Sequence, residues 1–223
     1  MDDQQLFQLC KDKLFTSVVG DVMDGLGFRH QCLPPSIRPL SPDMRLVGRA
    51  KTVLEADCAS TRKGTGEKDP FGLMFEALDS LKPGEIYICT GSSPAYACWG
   101  ELMTTRAKIL KAHGAVMEGY SRDTLGVLSM DFPVFSMGSY AQDQGIRGRV
   151  IDFNCPIEFS NQVLVEPGDL ILGDLDGVLA VPRLAVEEVI QKALDKVSKE
   201  NLVKKAIEAG MSTREAWNTY GVM

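Results

Sequence analysis

The chain has 223 residues, enough to bury a substantial core, and its 44% hydrophobic and 24% charged content is that of an ordinary globular protein. A net charge of −6 argues against a nucleic-acid partner, which is usually met by a clustered basic face. No apolar run approaches the roughly 18–20 residues that span a bilayer, and the opening MDDQQLFQLCKDKLF lacks the regions of a secretion signal, so a cytoplasmic protein without membrane contact is expected.

Along residues 3–14, Leu6, Cys10 and Leu14 recur at helical spacing. Thr16 or Ser17 is placed to cap a second helix that Gly27 closes. Leu33-Pro-Pro-Ser and Pro39-Leu-Ser-Pro42 read as turns or extended connections. Residues 46–55 alternate as a strand, with Lys51 on the face of Arg49 and expected in solvent. The polar TRKGTGEKD of residues 61–69 reads as a mobile loop, followed by a helix over 71–80 and a Pro83-Gly84 turn into a strand over 85–89. Helical periodicity over 99–111 leads through Gly114 to a short strand over 115–120. Pro167-Gly168 repeats the turn-and-strand chemistry, and Asp176-Gly177 suits a type I′ hairpin. A calcium loop is the sharper reading of Asp174-Leu-Asp-Gly177, but the downstream ligands of an EF-hand are missing. A long amphipathic helix over 184–209 ends at Gly210, and Ser212-Thr-Arg-Glu215 is a capping box for a last helix. With no low-complexity linker, residues 1–223 read as a single α/β domain, its N-terminal helices (3–27) and C-terminal helices (184–220) packed on the core.

The six cysteines, at 10, 32, 58, 89, 98 and 155, form no Cys-x-x-Cys and read as reduced core residues. His30 and His113 share no metal-ligand spacing, and His113, just before Gly114, suits the negative end of a helix.

The chemistry gathers between residues 100 and 123. Glu101 and the amides of Leu102 and Met103 fall in the first turn of a helix that begins after Gly100. First-turn N–H groups lack intrahelical partners and the dipole favours an anion, so this is a seat for a substrate carboxylate. The alternative is that Glu101 merely complements the dipole. Arg122-Asp123 follows a strand, at the sheet edge where α/β folds hold ligands, and the topology directs Glu101 to the same side. As a plain surface ion pair it would contribute little stability.

Glu101, twenty intervening residues and Arg122-Asp123 resemble the acidic-x20-Arg-Asp signature of the RraA-like proteins and the class II pyruvate aldolases related to them, typified by the 4-hydroxy-4-methyl-2-oxoglutarate aldolases. Ser17-Val-Val-Gly-Asp-Val-Met-Asp-Gly-Leu-Gly27, Arg45-Leu-Val-Gly-Arg-Ala-Lys-Thr52, Trp99-Gly-Glu-Leu102 and the run from Pro167 to Val178 match in the family's order. The resemblance implies a swivelling ββα-type domain with a β-sandwich-like core flanked by helices, assembled as a homotrimer or hexamer with sites between subunits. It further implies that Asp123 ligates Mg²⁺ or Mn²⁺ directly and that Glu101 holds a metal-bound water. Arg122 would contact the 2-keto oxygen, and the segment Gly100, Leu102 and Met103 would bind the 1-carboxylate. Glu200 from a neighbouring subunit would complete the outer shell. Glutamate stands at 101 where the bacterial aldolases commonly carry aspartate.

The implied reaction is metal-dependent retro-aldol cleavage of a 4-hydroxy-2-oxo dicarboxylic acid to pyruvate, or decarboxylation of oxaloacetate through the same pyruvate enolate. Two rivals stand beside it. A Schiff-base aldolase would need a lysine of lowered pKa, for which Lys51 is the nearest candidate. A non-enzymatic protein of the same scaffold would act by contact with an RNA-processing nuclease, as the family's namesake does.

Overall fold

The computed structural model describes residues 1–58 and 71–222; the loop expected at 61–69 lies outside them. Helices α1 (Asp3–Lys13) and α2 (Thr16–Gly25) come first, followed by strands β1 (Arg38–Pro39) and β2 (Leu46–Asp57). The middle of the chain is α3 (Met74–Asp79), β3 (Glu85–Thr90), β4 (Ala97–Trp99), α4 (Glu101–Ile109), β5 (Gly114–Met117), β6 (Tyr120–Ser121), α5 (Thr124–Ser129) and β7 (Val134–Ser136). Strands β8 (Gly148–Phe153), β9 (Ile157–Glu158), β10 (Leu164–Val165), β11 (Leu170–Asp174) and β12 (Gly177–Val181) precede α6 (Val186–Glu208) and α7 (Thr213–Tyr220).

One eight-stranded sheet runs β1-β7-β5-β3-β2-β11-β12, with β8 on the second half of the β2 edge that β11 occupies first. The steps from β2 through β3 and β5 to β7 are parallel, which requires the crossovers that α3, α4 and α5 supply. The sheet curls until its ends approach. Residues Gln31 and Leu33 hydrogen-bond to the free edge of β12, and Arg38 Nη1 on β1 donates to the carbonyls of Leu175 and Asp176 in the β11–β12 turn. The expected β core is therefore a nearly closed barrel of one sheet, with helices outside it.

Strand alternation divides the apolar side chains accordingly. Ile86, Ile88, Val116, Phe135, Ile171 and Val178 point into the barrel. Tyr87, Cys89, Ala115 and Met117, the alternate residues of β3 and β5, point outward beneath α3, α4 and α5. Leu170, Leu172, Leu179 and Val181 point outward beneath α1, α2 and α6. The N- and C-terminal helices thus share one outer layer, with α2 against α6.

Several expectations change in detail. Neither Thr16 nor Ser17 caps α2: the cap residue is Phe15, which has no side-chain bond to offer, and the buried Asp174 reaches across to accept from Thr16 N at 2.7 Å and Thr16 Oγ1 at 2.6 Å. The β11–β12 loop is Leu175-Asp176 without positive φ, so it is not type I′; the Arg38 guanidinium and the Asp174 carboxylate hold it instead. Lys51 is not solvated but 4% exposed, its ammonium 4.9 Å from the Phe153 ring centre, and this desolvation lowers its pKa. His113 caps no helix; its Nδ1 lies 2.8 Å from the Val47 carbonyl and its ring meets Phe7 edge-on. All six cysteines are free, yet only Cys10, Cys89 and Cys98 are buried. The capping boxes at Ser212–Glu215 and, unanticipated, Asp2–Gln5 are both formed.

Candidate active site

The helix expected over 99–111 starts two residues later, because Trp99 belongs to β4. Its buried indole Nε1 donates to Thr104 Oγ1 at 2.8 Å, and that hydroxyl donates in turn to the Gly100 carbonyl at 3.0 Å. This pins the first turn of α4. Glu101 N donates to Asp123 Oδ2 at 3.3 Å, whereas the amides of Leu102 and Met103 have no acceptor among the described residues. Leu102 is 85% exposed, so this turn opens outward.

The strand expected over 115–120 is broken after Met117. Tyr120-Ser121 forms β6, paired with β4 in a separate two-stranded sheet, and Arg122-Asp123 leaves that small sheet. Arg122 N donates to the Trp99 carbonyl at 2.9 Å, which sets the pair directly beside the start of α4. Asp123 takes the left-handed conformation, φ 55° and ψ 36°, and precedes α5 as its cap residue without capping it. Its carboxylate is turned instead toward Gly100, where a β-carbon would approach Oδ2 to 2.8 Å. Glycine at 100 keeps that approach open. Glycine at 126 does the same for Glu101, whose carboxylate lies where a side chain on α5 would stand.

Glu101, Arg122 and Asp123 are thus gathered at one place, as their spacing suggested. Arg122 Nε lies 3.7 Å from Asp123 Oδ2, and Nη1 makes a tighter pair with Asp143 Oδ1 at 3.0 Å. No motif pointed to Asp143. It comes from the loop before β8, and its other oxygen accepts from Gly145 N at 3.0 Å, which fixes the carboxylate against the guanidinium. A cleft of about 450 Å³ opens here, lined by Arg122, Asp123 and Asp143 on one side and by Phe75, Leu78 and Met103 on the other. Glu200 is not among its residues: it lies on α6, 3.6 Å from Lys196 and beside Phe15.

The donor set fits one kind of metal. No trio of His, Cys, Asp or Glu gathers among the described residues, which disfavours a closed zinc site. Asp123 accepts a single long hydrogen bond in an open cleft, so one carboxylate is available with space for water and ligand oxygens, the coordination habit of Mg²⁺ or Mn²⁺.

The RraA-like family model, described as Aldolase/RraA, matches residues 16–180. The chain is a member of the RraA-like family. A relative from Halalkalibacterium halodurans, provisionally named 4-hydroxy-4-methyl-2-oxoglutarate aldolase, is 28% identical over 203 residues, 91% of this chain and 89% of its own. Protein DlpA of Legionella pneumophila is 30% identical over 91% of this RraA-like chain, which spans only 32% of DlpA's length. The solved structure of Streptomyces coelicolor RraAS2, described as an unusual member of the RNase ES inhibitor RraA protein family, superposes with a TM-score of 0.78 at 21% identity, covering 91% of this chain and 97% of that one, a likeness of fold. The family includes both aldolases and non-enzymatic regulators. No helix of the described residues is long and apolar enough to cross a membrane.

Proposed function

We propose that this RraA-like protein is a divalent-metal-dependent carbon–carbon lyase that releases pyruvate from 4-hydroxy-2-oxo acids and decarboxylates oxaloacetate. One observation supports it above others: Glu101, Arg122 and Asp123 converge beside two first-turn amides that have no protein acceptor. Both reactions must stabilise negative charge developing on the 2-oxygen of a pyruvate enolate.

In this reading Leu102 and Met103 N–H bind the substrate's 1-carboxylate, using the positive end of α4. Asp123 holds Mg²⁺ or Mn²⁺, which when bound acts as a Lewis acid toward the 2-keto group. The Arg122 guanidinium, oriented by Asp143, donates to the same oxygen. Glu101 takes the C4-hydroxyl proton through a water and returns a proton to C3 once the bond has broken. Glu200 contributes from an adjoining subunit of a trimer or hexamer, since it lies outside the cleft of its own chain.

Lys51 supports the Schiff-base alternative poorly: it has the lowered pKa such a mechanism wants, but it is buried and is not among the residues lining the cleft. The test is pyruvate release from oxaloacetate and from a 4-hydroxy-2-oxo acid, with Mg²⁺ and after chelation. Turnover that chelation abolishes and Mg²⁺ restores is expected. Turnover indifferent to chelator and trapped by borohydride would move the chemistry to a lysine, and none at all would leave a regulator working by protein contact.

A further inference from the structure

Opposite Arg122 and Asp123, the cleft is bounded by the apolar face of α3 and its lead-in. Phe71, Phe75 and Leu78 line it there, with Phe71 and Phe75 edge to face at 5.7 Å, and Leu102 and Met103 of α4 continue the wall. The charged lining residues are few. Arg106 and Arg122 are its only cations among the described residues, against Asp79, Asp123 and Asp143. Both cations already have carboxylate partners: Arg106 Nε is 2.7 Å from Asp79 Oδ1, and Arg122 is held by Asp143. A substrate's 1-carboxylate has the free amides of α4. A second carboxylate, carried on C4, would meet an apolar wall and two aspartates with no uncommitted cation, and an anion placed so is disfavoured by desolvation and by like charge.

We infer that the cleft selects 4-hydroxy-2-oxo acids whose C4 substituent is apolar, a branched alkyl or aryl group, over those bearing a second carboxylate there. The inference rests on the lyase reading above and names its substrate class. A cleft of about 450 Å³ accommodates such a ligand, falling within the roughly 300–1,000 Å³ of small-molecule sites. Cleavage breaks the C3–C4 bond, whose electron pair passes into the pyruvate enolate. The C4 hydroxyl loses its proton as C4–O becomes a carbonyl, and a proton delivered to C3 completes pyruvate. The second product is an apolar aldehyde or ketone, which the α3 wall solvates. No oxidant or reductant is needed.

The experiment compares kcat/KM for three substrates with Mg²⁺: 4-hydroxy-2-oxo-4-phenylbutanoate, 4-hydroxy-4-methyl-2-oxoglutarate and oxaloacetate. The aryl substrate is expected to exceed the glutarate by at least about tenfold, a difference an apolar pocket readily supplies. Two variants report on the cause. Asp79→Ala frees the Arg106 guanidinium and should narrow the ratio by raising cleavage of the glutarate. Phe75→Ser, at a side chain already 54% exposed, should lower the aryl rate relative to oxaloacetate decarboxylation. If the glutarate is cleaved as well as the aryl acid or better, while Mg²⁺-dependent turnover persists, the selectivity is overturned and the lyase reading stands. If none of the three yields pyruvate in a Mg²⁺-dependent way, the lyase reading fails and takes the selectivity with it.

Discussion

Asp123 shows how much a single backbone conformation can decide. The left-handed region costs an ordinary residue about 1–2 kcal/mol, and Asp and Asn are among the few side chains that tolerate it. Here it turns the carboxylate away from its expected place at the head of α5 and toward Gly100. Asparagine should keep that backbone while removing the charge. Asp123→Asn is therefore expected to fold with an unchanged circular dichroism spectrum and to lose at least about a hundredfold in kcat, the scale of losing one transition-state partner. Arg122→Lys should fall comparably, because an ammonium cannot span Asp143 and a keto oxygen as the guanidinium fork does. Glu101→Gln should depress aldol cleavage more than decarboxylation, which needs no base. Steady-state kinetics on both substrates measure all three, and an Asp123→Asn enzyme within tenfold of wild type would remove the site as drawn. Glu101, Arg122 and Asp123 were legible in the sequence because helix start, spacing and dipeptide are local patterns. Asp143 was not, since only the fold brings its loop to the guanidinium.

At the scale of elements, β2 carries polar residues where its alternation alone suggested solvent. Lys51 is covered because Phe153 of the neighbouring β8 lies across it. Near the other end, at a register shift after Leu54, Glu55 is 2% exposed; Gln144 Nε2 donates to one oxygen at 2.9 Å and the other has no partner. Burial raises its pKa well above the ordinary carboxyl range, with Cys98 alongside adding to the effect. The folded state then holds a proton that the unfolded chain releases. Stability is fully present below the ordinary glutamate pKa and is lost as pH climbs toward the raised folded value. Glu55→Gln should remove that loss: urea unfolding is expected to show the variant gaining on wild type at about pH 8, with the gap closing near about pH 5. Parallel pH profiles would mean that Glu55 ionises freely in the native protein. The same scale explains the capping of α2. Sequence pointed to Thr16 or Ser17 because capping is usually local. The carboxylate that does it sits 158 positions away, on the hairpin.

For the whole molecule, the position of Glu200 makes a statement about assembly. It lies on the outer layer formed by α6, away from the cleft of its own chain. If it serves a neighbour's cleft, Glu200→Ala and Asp123→Asn should each be inactive alone and regain partial activity when co-expressed, because a mixed oligomer assembles an intact site from two defective chains. Equal inactivity of the mixed preparation, with chromatography showing mixed oligomers, would confine the site to one chain. The sequence by itself determined the order of helices and strands, the alternation that splits inside from outside, and the spacing of the acid and the Arg-Asp pair. Those depend on periods of two and 3.6 residues and on short-range turn chemistry. Only the tertiary structure decided that the sheet curls into a near-barrel, that Lys51 and Glu55 are buried, and that Asp143 and the α3 wall complete the cleft. Each of those joins residues far apart in the chain, and burial depends on which neighbour the fold places across a strand.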